Sequence, residues 1–158
     1  MLPQKVTQLI GKTSDSVIME VEKGAIKKFA DAVGDTNPLY WDEEYARKSE
    51  YGGISAPPGF FGWPVKWKGA MPMASELREK AIATISKAGY PRVLDGGIEY
   101  EFLFPVLAGD TLAAVSRIAD IQEQEGKTGK MFLTVLETTY TNQSGDLVAK
   151  ERKITIHR

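Results

Sequence analysis

Cysteine is absent from the 158 residues, and histidine occurs once, at the penultimate position His157. Without cysteine the chain can hold no disulfide, thiolate zinc site, iron–sulfur cluster or Cys nucleophile of its own. A Ser-His-Asp triad or a multi-His metal site would have to be built around His157 alone, and we read that residue as closing the last strand. Acid–base chemistry therefore falls to carboxylates, Tyr or Lys, or to another chain. No apolar run approaches the ~18 residues that span a bilayer. The opening Met1-Leu2-Pro3-Gln4-Lys5-Val6 lacks the apolar core of a secretion signal. Neither sign of charge dominates: 20 basic and 21 acidic residues give a net −1, and no basic stretch resembles a phosphate-backbone footprint. These absences point to a soluble, cytoplasmic protein that engages neither nucleic acid nor membrane. The length suits one domain over residues 1–158.

What is present changes character along the chain. Ser14 to Val21 reads as a strand. Lys23 to Val33 reads as a helix, because Ile26, Phe29, Ala30 and Val33 form one stripe and Gly34 supplies the stop. Asn37-Pro38 makes a turn, and Asp42 caps a second short helix to Glu50. Gly59 to Met71 carries Phe60, Phe61, Trp63, Val65 and Trp67 around Pro64 and is expected to be a buried, kinked helix. Trp63 and Trp67 would share one face of it, in the core or at a subunit interface. Lys66 and Lys68 are read as solvent-facing, with a weaker claim on the phosphates of a ligand. Ser75 caps a helix to Ala88 with the stripe Leu77, Ala81, Ile85, Ala88 and a Glu76–Lys80 pair.

From Gly97 the period becomes two. Ile98, Tyr100, Phe102 and Phe104 alternate with polar residues as a half-buried strand. Asp110–Gln122, Lys130–Asn142 and Leu147–Ile156 follow as long strands joined by hairpin-like connections. Helices followed by an antiparallel meander argue for an α+β domain.

Five segments carry a family resemblance. Gly34-Asp35-Thr36-Asn37-Pro38-Leu39-Tyr40 puts one carboxylate in a tight polar turn, and Ala56-Pro57-Pro58-Gly59-Phe60 follows about twenty residues on. Asp95-Gly96-Gly97-Ile98-Glu99-Tyr100-Glu101-Phe102, Pro105-Val106-Leu107-Ala108-Gly109-Asp110 and Thr139-Tyr140-Thr141-Asn142 complete the set. In this order they resemble the N-terminal domain of the MaoC-like dehydratases over nearly the whole chain. The resemblance implies a hot-dog fold, a curved antiparallel sheet wrapped around a central helix. It also implies (R)-specific enoyl-thioester hydration or 3-hydroxyacyl dehydration, with no cofactor and no metal.

Such hydration needs a positioned, deprotonated water and a stabilised enolate-like oxygen. The resemblance carries the water-holding carboxylate to Asp35, the turn amide to Asn37, and the oxyanion-facing helix start to Gly59. The family's His, five positions after the Asp, is here Tyr40. A phenol titrates near about 10 against about 6.5 for imidazole, so Tyr40 is a donor rather than a base at neutral pH. Asp35 and Tyr40 are accordingly the candidate catalytic pair, and Asn37, Pro58 and Gly59 the candidate substrate contacts. Each also has a plain structural reading, as turn and loop residues.

The expected role is a His-lacking subunit that shapes an acyl pocket for acyl-CoA or an acyl-carrier thioester. It would work as a homodimer or with another hot-dog subunit. The alternatives are a non-catalytic acyl-thioester-binding homodimer and, ranked last, a hot-dog thioesterase acting through Asp35.

Overall fold

The computed structural model describes residues 3–64, 76–126 and 129–158. The helices are α1 (Gln4–Thr7), α2 (Lys23–Val33), α3 (Pro38–Trp41), α4 (Glu43–Lys48) and α5 (Glu76–Lys87). The strands are β1 (Val17–Glu20), β2 (Trp63–Pro64), β3 (Val93–Phe102), β4 (Thr111–Gly126), β5 (Gly129–Thr141) and β6 (Leu147–His157). They form one antiparallel sheet in the order β2-β1-β4-β5-β6-β3.

The period-two pattern explains the inner face. Register aligns Ala114 with Tyr140, Ser116 with Thr138 and Ile118 with Leu136, and all six are buried. A bulge between Ile118 and Asp120 then restores Ile121 to that face, opposite Thr134. Arg117 and Glu137, one residue out of phase, form an ion pair on the opposite side. Two apolar clusters cover the inner face. One gathers Ile26 and Ala30 of α2 with Tyr40, Phe60, Phe61, Leu112 and Tyr140. The other holds Val6, Leu77, Ala81 and Ile85 against Ile118, Ile121, Phe132 and Leu136.

Helix α2 has the expected bounds. Gly34 ends it at φ 71°, donating its N–H to Ala30 and Asp31 carbonyls. The buried stripe is Ala25, Ile26 and Ala30, while Val33 in the last turn stays 59% exposed. Asp42 caps α4 as expected, accepting the Glu44 and Tyr45 amides. In α5 the stripe Leu77, Ala81, Ile85 is buried, but Glu76 and Lys80 form no ion pair, and the cap at Ser75 lies outside the described residues.

Two expectations need correction. Gly59 to Pro64 is not helical: Gly59 and Gly62 take φ of +86° and +88°, which breaks a right-handed helix, and Trp63–Pro64 pairs with β1 as an edge strand. Trp63 is 49% exposed rather than core. The rest of that expected helix, with Lys66, Trp67 and Lys68, lies outside the described residues. Strand β3 is also not half-buried. It is the last strand of the sheet, with Tyr100 alone partly covered, because no described element packs over it.

Candidate functional site

The turn after α2 is built by side chains bonding their own backbone. The Asp35 N–H donates to the Ala30 carbonyl at 2.8 Å, so the chain leaves the helix already turned. Asp35 Oδ1 accepts the Asn37 N–H at 3.0 Å, and Asn37 Oδ1 accepts the Leu39 N–H at 3.1 Å, capping α3. Pro38 then opens that helix, where its missing N–H costs nothing. Trp41 anchors the loop by donating Nε1–H to the Asp35 carbonyl at 2.9 Å.

Tyr40, on α3, is 7% exposed and lies within the first apolar cluster. Burial raises its phenol above the ordinary value, and the charge of Asp35 and the nearby Tyr51 add to the rise. Asp35 thus lies within electrostatic reach of this phenol and holds it further from acting as a base.

The segment after α4 is tied to both sides of a groove. The Ser55 N–H donates to the Leu39 carbonyl at 3.2 Å and the Ala56 N–H to the Val106 carbonyl at 2.7 Å. Pro57, Pro58 and Gly59 then turn back, with the Phe60 N–H bonded to the Pro57 carbonyl at 3.0 Å. The resulting groove has a volume of about 380 Å³. Its wall includes Tyr40, Tyr51, Pro58, Phe60, Phe61 and Phe102. Such a surface, apolar with two phenols, suits an apolar group rather than a polar metabolite.

Of the residues singled out from sequence, the fold brings Tyr40 and Pro58 together on this wall. Asp35 lies in the adjoining turn, half-buried, and is not among the wall residues. Asn37 is exposed and occupied with capping α3. Gly59 is in a turn, so it does not present the N-terminal amides of a helix, which corrects the oxyanion assignment made through it. His157 ends β6 as expected. It is 1% exposed, opposite Phe132 in register, with Nε2 and the Thr134 hydroxyl 3.1 Å apart. That region belongs to the cluster under α5, whereas Tyr40 belongs to the other cluster.

Sequence reading missed Phe61 and Phe102 as wall residues. Phe61 stacks on Tyr140 with centroids 4.0 Å apart and also approaches Tyr100 at 5.6 Å and Phe102 at 6.2 Å. The alternation in Tyr100-Glu101-Phe102 signalled a shared face, but not that it borders a groove. Among the described residues no three His, Asp or Glu side chains are grouped to hold a metal ion. No described helix is long and apolar enough to cross a membrane.

Comparison with known proteins agrees with this geometry. Residues 8–151 match the profile of the FAS1-like dehydratase domain region. A probable enoyl-CoA hydratase alpha subunit of Thermomonospora curvata is 31% identical over 134 residues, covering 80% of this chain. The chain spans 41% of that relative's length. The ChsH1–ChsH2 complex of Mycobacterium tuberculosis contains a chain that superposes with a TM-score of 0.83 at 21% identity, over 97% of this chain and 88% of that one. A MaoC-like dehydratase superposes with a TM-score of 0.74 at 21% identity, over 96% of this chain and 43% of that one.

Proposed function

Because this chain belongs to the FAS1-like dehydratase family, with its MaoC-like α+β hot-dog fold, we propose that it is the His-lacking subunit of an (R)-specific enoyl-thioester hydratase or 3-hydroxyacyl-thioester dehydratase. It shapes the acyl groove, and a sister hot-dog subunit supplies the Asp–His pair that handles water. The observation that carries this reading is Tyr40. It occupies the place of the expected imidazole, on the groove wall, with a phenol pushed up by burial and by Asp35. The chain's own imidazole is enclosed in the other cluster.

In this reading Asp35 and Tyr40 hold water or the substrate oxygen by hydrogen bond, Asn37 keeps their turn closed, and the Pro58–Gly59 turn seats the thioester end. General base catalysis contributes roughly 10²–10⁴-fold, so a groove without it leaves only slow turnover. The substrate is an acyl-CoA or an acyl-carrier thioester, matched to the apolar wall.

The free edge of the sheet supports association with another hot-dog chain. Strand β3 is ten residues long and ends the sheet, with Val93, Leu94, Ile98 and Phe102 all at least 38% exposed. An uncovered apolar edge of this length is a pairing surface. A heterodimer fits better than a homodimer, because two copies of this chain still lack a groove imidazole.

The test is coexpression with a hot-dog protein that carries an Asp–His pair, followed by crotonyl-CoA hydration. Activity of the pair, with little from either chain alone, supports the reading. Ordinary enzymatic rates from this chain alone, abolished by Asp35→Asn, would overturn it.

A further inference from the structure

The groove wall carries no charged side chain, and its polar side chains are the phenols of Tyr40 and Tyr51 and the hydroxyl of Ser55. Tyr51 is half-buried, whereas Tyr40 and Ser55 are 7% and 6% exposed. Neither of those two hydroxyls has a hydrogen-bond partner among the described residues, and yet neither is sealed from solvent. The groove that both residues line is the opening that reaches them.

The backbone fixes Ser55 from two sides. Its N–H donates to the Leu39 carbonyl at 3.2 Å, one residue before Tyr40. On the other side it pairs with Leu107 in an antiparallel bridge. That bridge is flanked by the Ala56 N–H on the Val106 carbonyl at 2.7 Å and the Ala108 N–H on the Ile54 carbonyl at 2.9 Å. Ser55 is therefore held against α3, the helix that carries Tyr40.

A hydroxyl enclosed this far is destabilising unless something bonds it. Alanine at 55 and phenylalanine at 40 would fill the same space without that cost, so packing alone accounts for neither. Water meets both groups in an empty groove, and a ligand that displaces it must meet them too or lose affinity. A carboxylate would be desolvated there with no cation on the wall, and an alkyl chain would leave both hydroxyls unpaired. A carbonyl oxygen satisfies both, because it has two lone pairs and no proton of its own. The thioester oxygen also lacks the helix-start amide expected at Gly59, which lies in a turn at φ +86°.

We propose that Ser55 is a further substrate contact, and that its hydroxyl and that of Tyr40 together bind the carbonyl oxygen of an acyl thioester. This rests on the acyl-groove reading above and adds the residue that recognises the thioester group itself. Both hydroxyls turn their protons toward the oxygen and polarise the carbonyl without transferring a proton. The groove then prefers a thioester to an equally apolar ligand without that oxygen.

The experiment is equilibrium binding of butanoyl-, hexanoyl- and octanoyl-CoA, each against the S-alkyl-CoA thioether in which a methylene replaces the carbonyl. Neither series undergoes hydration, so the outcome is independent of turnover. For at least one length the thioester is expected to bind roughly tenfold to a hundredfold tighter, since a thioether sulfur is only a weak acceptor. Ser55→Ala and Tyr40→Phe should each reduce that ratio by about threefold to tenfold. Equal affinities at every length in the unaltered chain overturn the two-hydroxyl site alone, as does a ratio that Ser55→Ala leaves unchanged. Binding of neither series overturns the site and the acyl groove together, whereas an inactive coexpressed pair overturns only the hydratase reading. If Ser55→Ala does not fold by circular dichroism, Ser55→Cys, of similar size and only a weak donor, takes its place.

Discussion

The Trp41 indole donates its N–H to the backbone carbonyl of Asp35 at 2.9 Å, so one turn of α3 holds the loop that carries the candidate carboxylate. This bond is part-buried and spans six residues. Trp41→Phe keeps the apolar packing and removes the donor. The loss is expected to be about 1 kcal/mol, which lowers the melting temperature by roughly 2–4 °C. Thermal unfolding of the two proteins in parallel checks it, and an unchanged midpoint would show that the loop is held by its Asp and Asn turns alone.

Tyr40 and Asp35 make a constructive test possible. If Tyr40 occupies the place of a catalytic imidazole, Tyr40→His returns a base with an ordinary pKa near about 6.5 to the groove wall. Crotonyl-CoA hydration by this chain alone is then expected to rise roughly 10²-fold. Adding Asp35→Asn should remove the gain. A Tyr40→His protein that folds and stays at background would show that Asp35 does not face the same substrate.

How far the sequence reached depends on whether neighbours along the chain were also neighbours in space. Helix α2 and strands β4 to β6 follow from periodicity, because each buries one face against a continuous core. The Asp35 turn was equally legible, since Gly34, Asp35, Asn37 and Pro38 bond within a few residues of one another. The stretch from Phe60 to Trp63 was not. A short apolar run suits a buried helix or a strand, and two glycines at positive φ decided against helix. Strand β3 alternates as a half-buried strand does, yet periodicity cannot say whether anything covers either face. The part played by Ser55 was invisible for a related reason. It meets the helix of Tyr40 only through a backbone bond to Leu39, which no local pattern announces.

Two glycines give opposite expectations. Gly62 sits at φ +88°, and a Cβ there would overlap the Glu20 carbonyl where β2 meets β1. Gly62→Ala is expected to cost more than about 2 kcal/mol and to free the edge pairing. Gly24 lies in the first turn of α2 with open space around its Cβ position. Gly24→Ala should instead stabilise by about 0.5–1 kcal/mol. Urea unfolding midpoints of both variants test the pair, and a tolerated Gly62→Ala would mean the β1–β2 contact is not fixed.

His157 gives the fold a pH dependence whose sign is determined. Its imidazole is 1% exposed, with Nδ1 lacking a hydrogen-bond partner among the described residues. Burial, then the charge of Arg78 on α5, lowers its pKa below the ordinary histidine value. The folded state therefore binds this proton less readily than the unfolded chain. Its contribution is fully present above the unfolded pKa of about 6.5 and declines as pH falls from there toward the depressed folded value. Below the folded value it changes no further. Unfolding free energies between about pH 8 and pH 5 should thus fall toward the acid side. His157→Leu leaves the Thr134 hydroxyl without its partner and lowers stability overall, but it should flatten the slope in that window. The slope, not the absolute stability, is the measurement that counts. If His157→Leu reproduces the same pH slope, the proton uptake belongs to other groups and the imidazole is merely packed.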